Sequence, residues 1–335
     1  MRTGTKIITL DNGYHLWTNT QGTGDIHLLA LHGGPGGEHE YWEDAAKQLA
    51  KQGLNVQVTM YDQLGSWYSD SPDFSDPQVR KDILNYDYFL DEVDEVRDKL
   101  GLDNFYLIGQ SWGGLLVQEY AAKYGKHLKG AIVSSMVDRI DDYTENLEKV
   151  RETALTPDQV AYMKKCEAAN DYDNDKYQSY VDILNKGYID RKQPSKLSHL
   201  IDVTNTDIYG AFQGDNEFVI TGKLAEWNFT DHLKDIKVPT LVTFGEHETM
   251  PVATGKRMAE MIPNAKFVST PEGGHHHMID NPDVYYDHLA TFIREVEAGT
   301  FNKNKRAEKN ALTRLYKAFQ LKSRFLGFEL EAYIV

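Results

Sequence analysis

Phe105-Tyr106-Leu107-Ile108-Gly109-Gln110-Ser111-Trp112-Gly113-Gly114-Leu115-Leu116-Val117 is the stretch from which the fold can be read. A short apolar run with the character of a buried strand meets a Gly-x-Ser-x-Gly turn, and a segment with helical spacing follows to about Tyr124. A strand that turns sharply into a helix strains the backbone at its apex and leaves no room for side chains beside it, which the flanking glycines satisfy. The same turn lifts the Ser111 hydroxyl off the sheet and aims the first helical N–H groups at any negative charge beside it. Ser111 is therefore the candidate nucleophile.

Upstream, residues 6–19 read as a hairpin around Asp11-Asn12-Gly13. Ile26–Leu31 is a continuous apolar strand that runs into His32-Gly33-Gly34-Pro35-Gly36-Gly37, and a helix is expected from about Tyr41 to Lys51. Leu54–Tyr61 is a further strand ending in Asp62-Gln63-Leu64-Gly65-Ser66, and Asp91–Leu100 has the pattern of a helix with an acidic outer face. After Ala131–Ser135 the strand signals stop. From about Asp138 to Asp235 the chain is polar, tyrosine-rich and helical in period, and alternation resumes at Val238–Phe244 and Ala265–Ser269 before a closing helix, Pro282–Glu297. Strands alternating with helices at this spacing predict an α/β fold: a mostly parallel central sheet with helices on both faces and an inserted helical cap. The expected division is a core of residues 1–138 and 236–298, a cap of 139–235, and a basic tail of 299–335 with no assigned role.

The 335 residues suffice for one large core with an insertion, and the formal charge of -15 argues against a nucleic-acid surface. That charge is uneven: the tail carries eight Lys or Arg against three Asp or Glu, +5, and the rest of the chain -20. Residues 1–10 lack an apolar core of signal-peptide length, and no run is long enough to span a bilayer, so the expectation is a cytoplasmic protein with no membrane partner. A single cysteine, Cys166, rules out an internal disulfide and a thiolate metal site.

A serine hydroxyl needs a base to take its proton, and the base works best when a carboxylate holds its tautomer. In Gly-x-Ser-x-Gly hydrolases the chain order is Ser, acid, His, each partner following a strand. The strand ending at Phe244 leads into Gly245-Glu246-His247-Glu248, and the one ending near Ser269 into Gly273-Gly274-His275-His276-His277. His275, directly after the glycine pair, is the favoured base and His276 the runner-up. Glu248 and Glu246 are the acid candidates, with Asp138 a third. Three consecutive histidines cannot all face one ion on a strand or helix, so no metal is expected. The Trp112 N–H supplies one oxyanion donor by position, and the His32–Gly37 loop, at Gly34, supplies the other. That loop lacks the lysine of a phosphate-binding loop.

Together these segments resemble the α/β-hydrolase fold and, more closely, the proline iminopeptidase family of serine aminopeptidases. The resemblance rests on His32-Gly33-Gly34-Pro35-Gly36, Tyr61-Asp62-Gln63-Leu64-Gly65-Ser66, Gly109-Gln110-Ser111-Trp112-Gly113-Gly114, Asn216-Glu217-Phe218 and Gly245-Glu246, spread from about Asp25 to Glu297. It implies a helical cap over the site and carboxylates, at Glu217 and Glu246, that hold the free α-ammonium of a short peptide or aminoacyl amide. It implies no cofactor. The family usually has aspartate where Glu248 stands. The extra methylene moves the carboxylate by roughly a bond length, and misplacement of ~1 Å costs on the order of 10²-fold, so the loop must compensate or activity is impaired. The expected activity is release of an N-terminal residue, preferably proline, through an acyl-enzyme. The alternatives are an esterase or amidase on the same scaffold and, less favoured, a non-catalytic binding protein. Nothing in the sequence gives the oligomeric state.

Overall fold

The computed structural model describes residues 3–192 and 203–302. Eight strands form one sheet: β1 Gly4–Thr9, β2 His15–Gln21, β3 Ile26–Leu31, β4 Val56–Tyr61, β5 Phe105–Gln110, β6 Leu128–Ser134, β7 Thr240–Gly245 and β8 Ala265–Thr270. Their order is β1-β2-β4-β3-β5-β6-β7-β8. The hairpin β1–β2 and the β2–β4 pair are antiparallel and every other pair is parallel.

Period-two alternation assigns the side chains of each strand to two cores. On β3, Leu29 and Leu31 join Leu107, Val133 and Val242 on one face, while Leu28 and Ala30 join Ile108, Ile132 and Leu241 on the other. The first face is covered by the helix Trp112–Lys123, the second by Ala45–Lys51 and Pro282–Glu297. Each such leucine or isoleucine, fully removed from water, contributes about 1.5–3 kcal/mol. Covered on both faces, the central strands need continuous apolar runs, and all six residues of β5 are buried.

Two helical expectations shift, and one helix is unanticipated. The segment expected to be helical from Tyr41 is a short 3₁₀ turn, His39–Trp42, followed by the helix Ala45–Lys51. The helix expected from Asp91 begins at Tyr86, where the Asn85 side chain caps the Tyr88 N–H, and ends at Gly101 with φ +65. Pro77–Ile83 forms an additional helix, started by the Asp76 cap and proline at its first turn.

Between β6 and β7 the described elements are helical: Ile140–Ala154, Pro157–Ala168, Asp175–Leu184, a π-helical turn Asn185–Ile189, Thr206–Phe212, and 3₁₀ turns at Lys223–Glu226 and Thr230–Asp235. This segment touches the C-terminal edge of the sheet. The Asn205 N–H donates to Gly36 O at 2.8 Å and its Nδ2 to Gly65 O at 2.8 Å. Of the basic tail, residues 303–335 lie outside the described residues. No helix among the described residues is long and apolar enough to cross a membrane.

Candidate active site

Ser111 sits between β5 and the helix Trp112–Lys123 with φ 54, ψ -121, a conformation few non-glycine residues adopt. Steric limits show why both neighbours are glycine. A Cβ at Gly109 would fall 2.1 Å from Gly113 O, and one at Gly113 would fall 2.6 Å from Leu31 O. The Ser111 N–H donates to Ser134 O at 2.9 Å, which ties the apex to the end of β6. At the first position of its helix the Trp112 N–H has no intrahelical acceptor, so it is open to an oxyanion.

The second glycine loop lies beside it. A Cβ on Gly33 would be 3.1 Å from the Tyr41 hydroxyl and 3.2 Å from Ser111 Cβ, and one on Gly34, at φ +110, would be 2.5 Å from Gly37 N. The motifs around this loop lock together through side chains. Buried His32 accepts the Gln63 N–H on Nε2 at 3.0 Å, while its Nδ1 pairs with Gly33 O at 2.8 Å. Gln63 Oε1 accepts the indole N–H of Trp112 at 2.9 Å. Thus the His-Gly-Gly loop, the Asp-Gln-Leu-Gly turn and the residue after the nucleophile form one chain of hydrogen bonds. Burial pulls the His32 pKa down to about 4, partly opposed by Asp62, so the ring stays neutral as these bonds require.

His275 is buried, and both ring nitrogens lack a hydrogen-bond partner. Burial, with a smaller push from His276, pulls its pKa down to about 3. Its backbone is held by the π-helical turn, whose last carbonyls are free to accept. The His275 N–H donates to Tyr188 O at 2.7 Å and the His276 N–H to Ile189 O at 3.1 Å. His276, the runner-up base, pairs Nδ1 with Asp190 Oδ1 at 2.8 Å. Burial pulls His276 down, but Asp190 outweighs it, with help from Glu217 and Asp280, so its pKa is raised. His277 is occupied structurally, between Thr270 Oγ1 at 2.8 Å and Ser134 Oγ at 3.0 Å.

Glu248 is 5% exposed. Its Oε2 accepts the Ser135 hydroxyl at 2.5 Å and the Gly245 N–H at 3.0 Å, while Oε1 has no partner. Burial pushes its pKa well up, against the pull of Ser135 and Gly245. The structure does not join Glu248 to His275, or His275 to Ser111, by a hydrogen bond; it leaves the His275 ring nitrogens and Glu248 Oε1 buried and unpaired. Asp138, the third acid candidate, is engaged elsewhere, by Thr230 at 2.7 Å and by Arg257.

Glu217 Oε1 accepts the Tyr209 hydroxyl at 2.8 Å, and Oε2 lies 3.2 Å from the Tyr143 hydroxyl, which also donates to Glu217 O at 2.5 Å. Burial raises the Glu217 pKa, opposed by Tyr209, His276 and Tyr143. Its charge also acts on Tyr41, next to burial the largest influence raising that hydroxyl's pKa, and Tyr41 packs on Gly33 beside Ser111. Glu246 goes the other way. It is exposed, with its N–H on Thr270 O at 3.1 Å, and the partners of Glu217 are tyrosines. Sequence reasoning did not find Ser135, Asp190, Tyr143 or Tyr209, which carry no motif of their own.

Among the described residues, Glu38, His39 and Asp62 have metal-ligand spacing, their donor atoms lying within 4.8 Å of one another. His39 Nδ1 is already paired with Asp62 Oδ1 at 2.8 Å, so the cluster has internal partners.

Sequence and structure comparisons identify the family and the fold. The family model for the alpha/beta hydrolase fold matches residues 26–282. The chain is 32% identical over 307 residues to a proline iminopeptidase of Elizabethkingia meningoseptica, covering 88% of this chain and 99% of that one. It is 33% identical over 298 residues to a proline iminopeptidase of Chitinophaga pinensis, covering 86% and 97%. Among solved structures, the proline iminopeptidase of Mycobacterium smegmatis superposes with a TM-score of 0.78 at 23% identity, over 88% of this chain and 99% of that one, a likeness of fold. With the matching segments running from the hairpin side of the sheet through the helical segment to the histidine loop, the chain belongs to the proline iminopeptidase family of α/β-hydrolase enzymes.

Proposed function

We propose that the protein is a serine aminopeptidase that releases an N-terminal residue, preferably proline, from short peptides or aminoacyl amides. The observation that carries the substrate class is Glu217, a carboxylate braced by the Tyr143 and Tyr209 hydroxyls and acting on Tyr41 beside the Ser111 turn. Each Glu217 oxygen already faces one tyrosine hydroxyl and keeps a lone pair for an N–H donor. A secondary prolyl ammonium has two N–H groups, which suits that pair of vacancies. Under this reading the helical segment between β6 and β7 is a cap that fixes the distance from ammonium to nucleophile, so a single residue is cut and a blocked terminus is refused.

In the proposed reaction His275 takes the Ser111 proton and Ser111 Oγ attacks the scissile carbonyl. The N–H groups of Trp112 and Gly34 stabilise the oxyanion, at roughly 2.7–4 kcal/mol per donor. His275 then protonates the leaving amine, and water, activated by the same ring, hydrolyses the acyl-enzyme. Glu248 Oε1 is assigned to the Nδ1–H of His275. Ionised in that contact, Glu248 would raise the histidine from about 3 toward the range a general base needs, against the burial that pushes its own pKa up. The unpaired state of Glu248 Oε1 and both His275 nitrogens supports the assignment, since each unmade bond of a buried polar group costs about 1–3 kcal/mol.

The test is release of the first residue from a panel of unblocked and N-acetylated aminoacyl p-nitroanilides. Prolyl p-nitroanilide should be the best substrate, its acetylated form should be inert, and Glu217→Gln should lower kcat/KM for the unblocked form by about 100-fold. Equal turnover of blocked and unblocked forms would overturn the aminopeptidase reading in favour of an esterase or amidase. Glu246→Gln separates the two glutamates. Absence of a fluorophosphonate adduct on Ser111 in folded protein would remove the enzyme reading altogether.

A further inference from the structure

The end of β6 holds together the parts of the site that come from distant stretches of chain. Ser134 O accepts the Ser111 N–H at 2.9 Å, and Ser134 Oγ meets His277 of the histidine loop at 3.0 Å. The next residue, Ser135, is fully buried, and its hydroxyl reaches Glu248, 113 positions away, at 2.5 Å. Ser135 adopts φ +48, where a residue with a Cβ is strained by about 1 kcal/mol, and its N–H extends the ladder to Thr243 O at 2.9 Å. A strained, buried serine whose hydroxyl is given to one carboxylate oxygen calls for a reason beyond packing.

The reason lies in the length of Glu248. A glutamate has one more torsion than an aspartate, so its carboxylate must be folded back and held to present an oxygen where the shorter side chain would. The Gly245 N–H, three residues before it, takes Oε2 and bends the side chain toward its own strand end. The Ser135 hydroxyl takes the same oxygen from the neighbouring strand. With both donors on Oε2, only Oε1 is left to face a partner, and it is the oxygen that lacks one. We propose that Ser135 is a positioning residue that fixes the Glu248 carboxylate with Oε1 turned to the His275 ring, adapting the site to glutamate as its acid. This rests on the reading of Glu248 as the third member of the triad.

The experiment is a double-mutant cycle on full-length protein with prolyl p-nitroanilide, each variant normalised to the fraction of Ser111 titrated by fluorophosphonate. Ser135→Gly removes the hydroxyl and relieves the backbone, so misfolding does not confound it. It should lower kcat by about 10- to 100-fold with KM unchanged within twofold and thermal stability retained. Ser135→Asn tolerates the left-handed backbone and returns an N–H donor, and should restore most of the rate. In a Glu248→Gln background, itself slowed at least 100-fold, Ser135→Gly should cost nothing further. A wild-type rate for Ser135→Gly beside a slow Glu248→Gln would overturn the positioning role while leaving Glu248 as the acid. So would a full additional loss in the double variant, which would show that Ser135 acts elsewhere. A wild-type rate for Glu248→Gln would overturn the triad reading and this inference with it.

Discussion

The loops that carry Ser111 and His275 are built on opposite plans. The Ser111 turn belongs to the sheet: it leaves β5, bonds to the end of β6, and is packed so closely that its flanking positions admit no Cβ. The histidine loop follows an edge strand and is held from above. Five consecutive residues of the helical segment strap it: Tyr188 O and Ile189 O on the histidine N–H groups, Asp190 on His276, Arg191 on Glu272 O at 3.1 Å, and the Lys192 N–H on Asp280 at 2.7 Å. Asp280 in turn accepts the Gly274 N–H at 2.8 Å. One loop inherits its geometry from the sheet; the other borrows it from the helical segment between β6 and β7. Changes in the glycine frame of the first should therefore cost stability, and changes in the strap of the second should cost rate.

The largest expected effect separates chemistry from scaffold. Ser111→Ala should lower kcat/KM for prolyl p-nitroanilide on the order of 10⁴-fold or more, with urea unfolding shifted little, because the turn is set by its neighbours. Gly109→Ala should do the reverse in kind, costing about 3 kcal/mol in unfolding free energy through the clash with Gly113 O. Full stability in that variant would break the claim that the core dictates this loop.

A pH experiment addresses the bridge between the glycine loops. The native state refuses a proton at His32 until about 4, whereas the unfolded chain takes it near 6.5, so this residue's contribution to stability declines as pH falls through that window. His32→Gln should flatten the pH dependence of urea unfolding there by up to about 1.4 kcal/mol per unit. An unchanged slope would mean that His32 is protonated in the folded protein. The smallest effect belongs to the strap. Asp190→Asn should reduce kcat about tenfold while leaving the thermal midpoint within about 2 °C. A midpoint drop matching Gly109→Ala would erase the contrast between the loops.

What could be read from the sequence follows the same division. The sheet, the Ser111 turn and the Gly34 loop were legible because their signals are local: a short continuous apolar run, a glycine where a Cβ has no space. The strap and Ser135 were not, because they act across 86 and 113 positions through ordinary aspartate and serine side chains. Glu246 and Glu248 show the limit within a single turn. Two residues apart and alike in chemistry, they are told apart in the sequence only by the family resemblance; in the structure the Gly245 N–H holds Glu248 inward and Glu246 is exposed. The short helix Pro77–Ile83 was missed for a related reason: its cap and proline are clear, but only one of its residues, Ile83, is buried, so it had no apolar stripe to announce it.

The glycines beside Ser111 carry a lesson about descent. A Cβ at Gly109 would meet Gly113 O at 2.1 Å, and one at Gly113 would meet Leu31 O at 2.6 Å, whatever residue occupies position 111. Selection to keep the chain folded is therefore enough to preserve both. On the proposed roles, a lineage that abandoned catalysis would be free to lose Ser111, His275 and the buried carboxylates, and would go on displaying the glycines as a fossil of the turn. In any relative of this chain, the frame of the motif dates the fold, and only its central residue speaks for the chemistry.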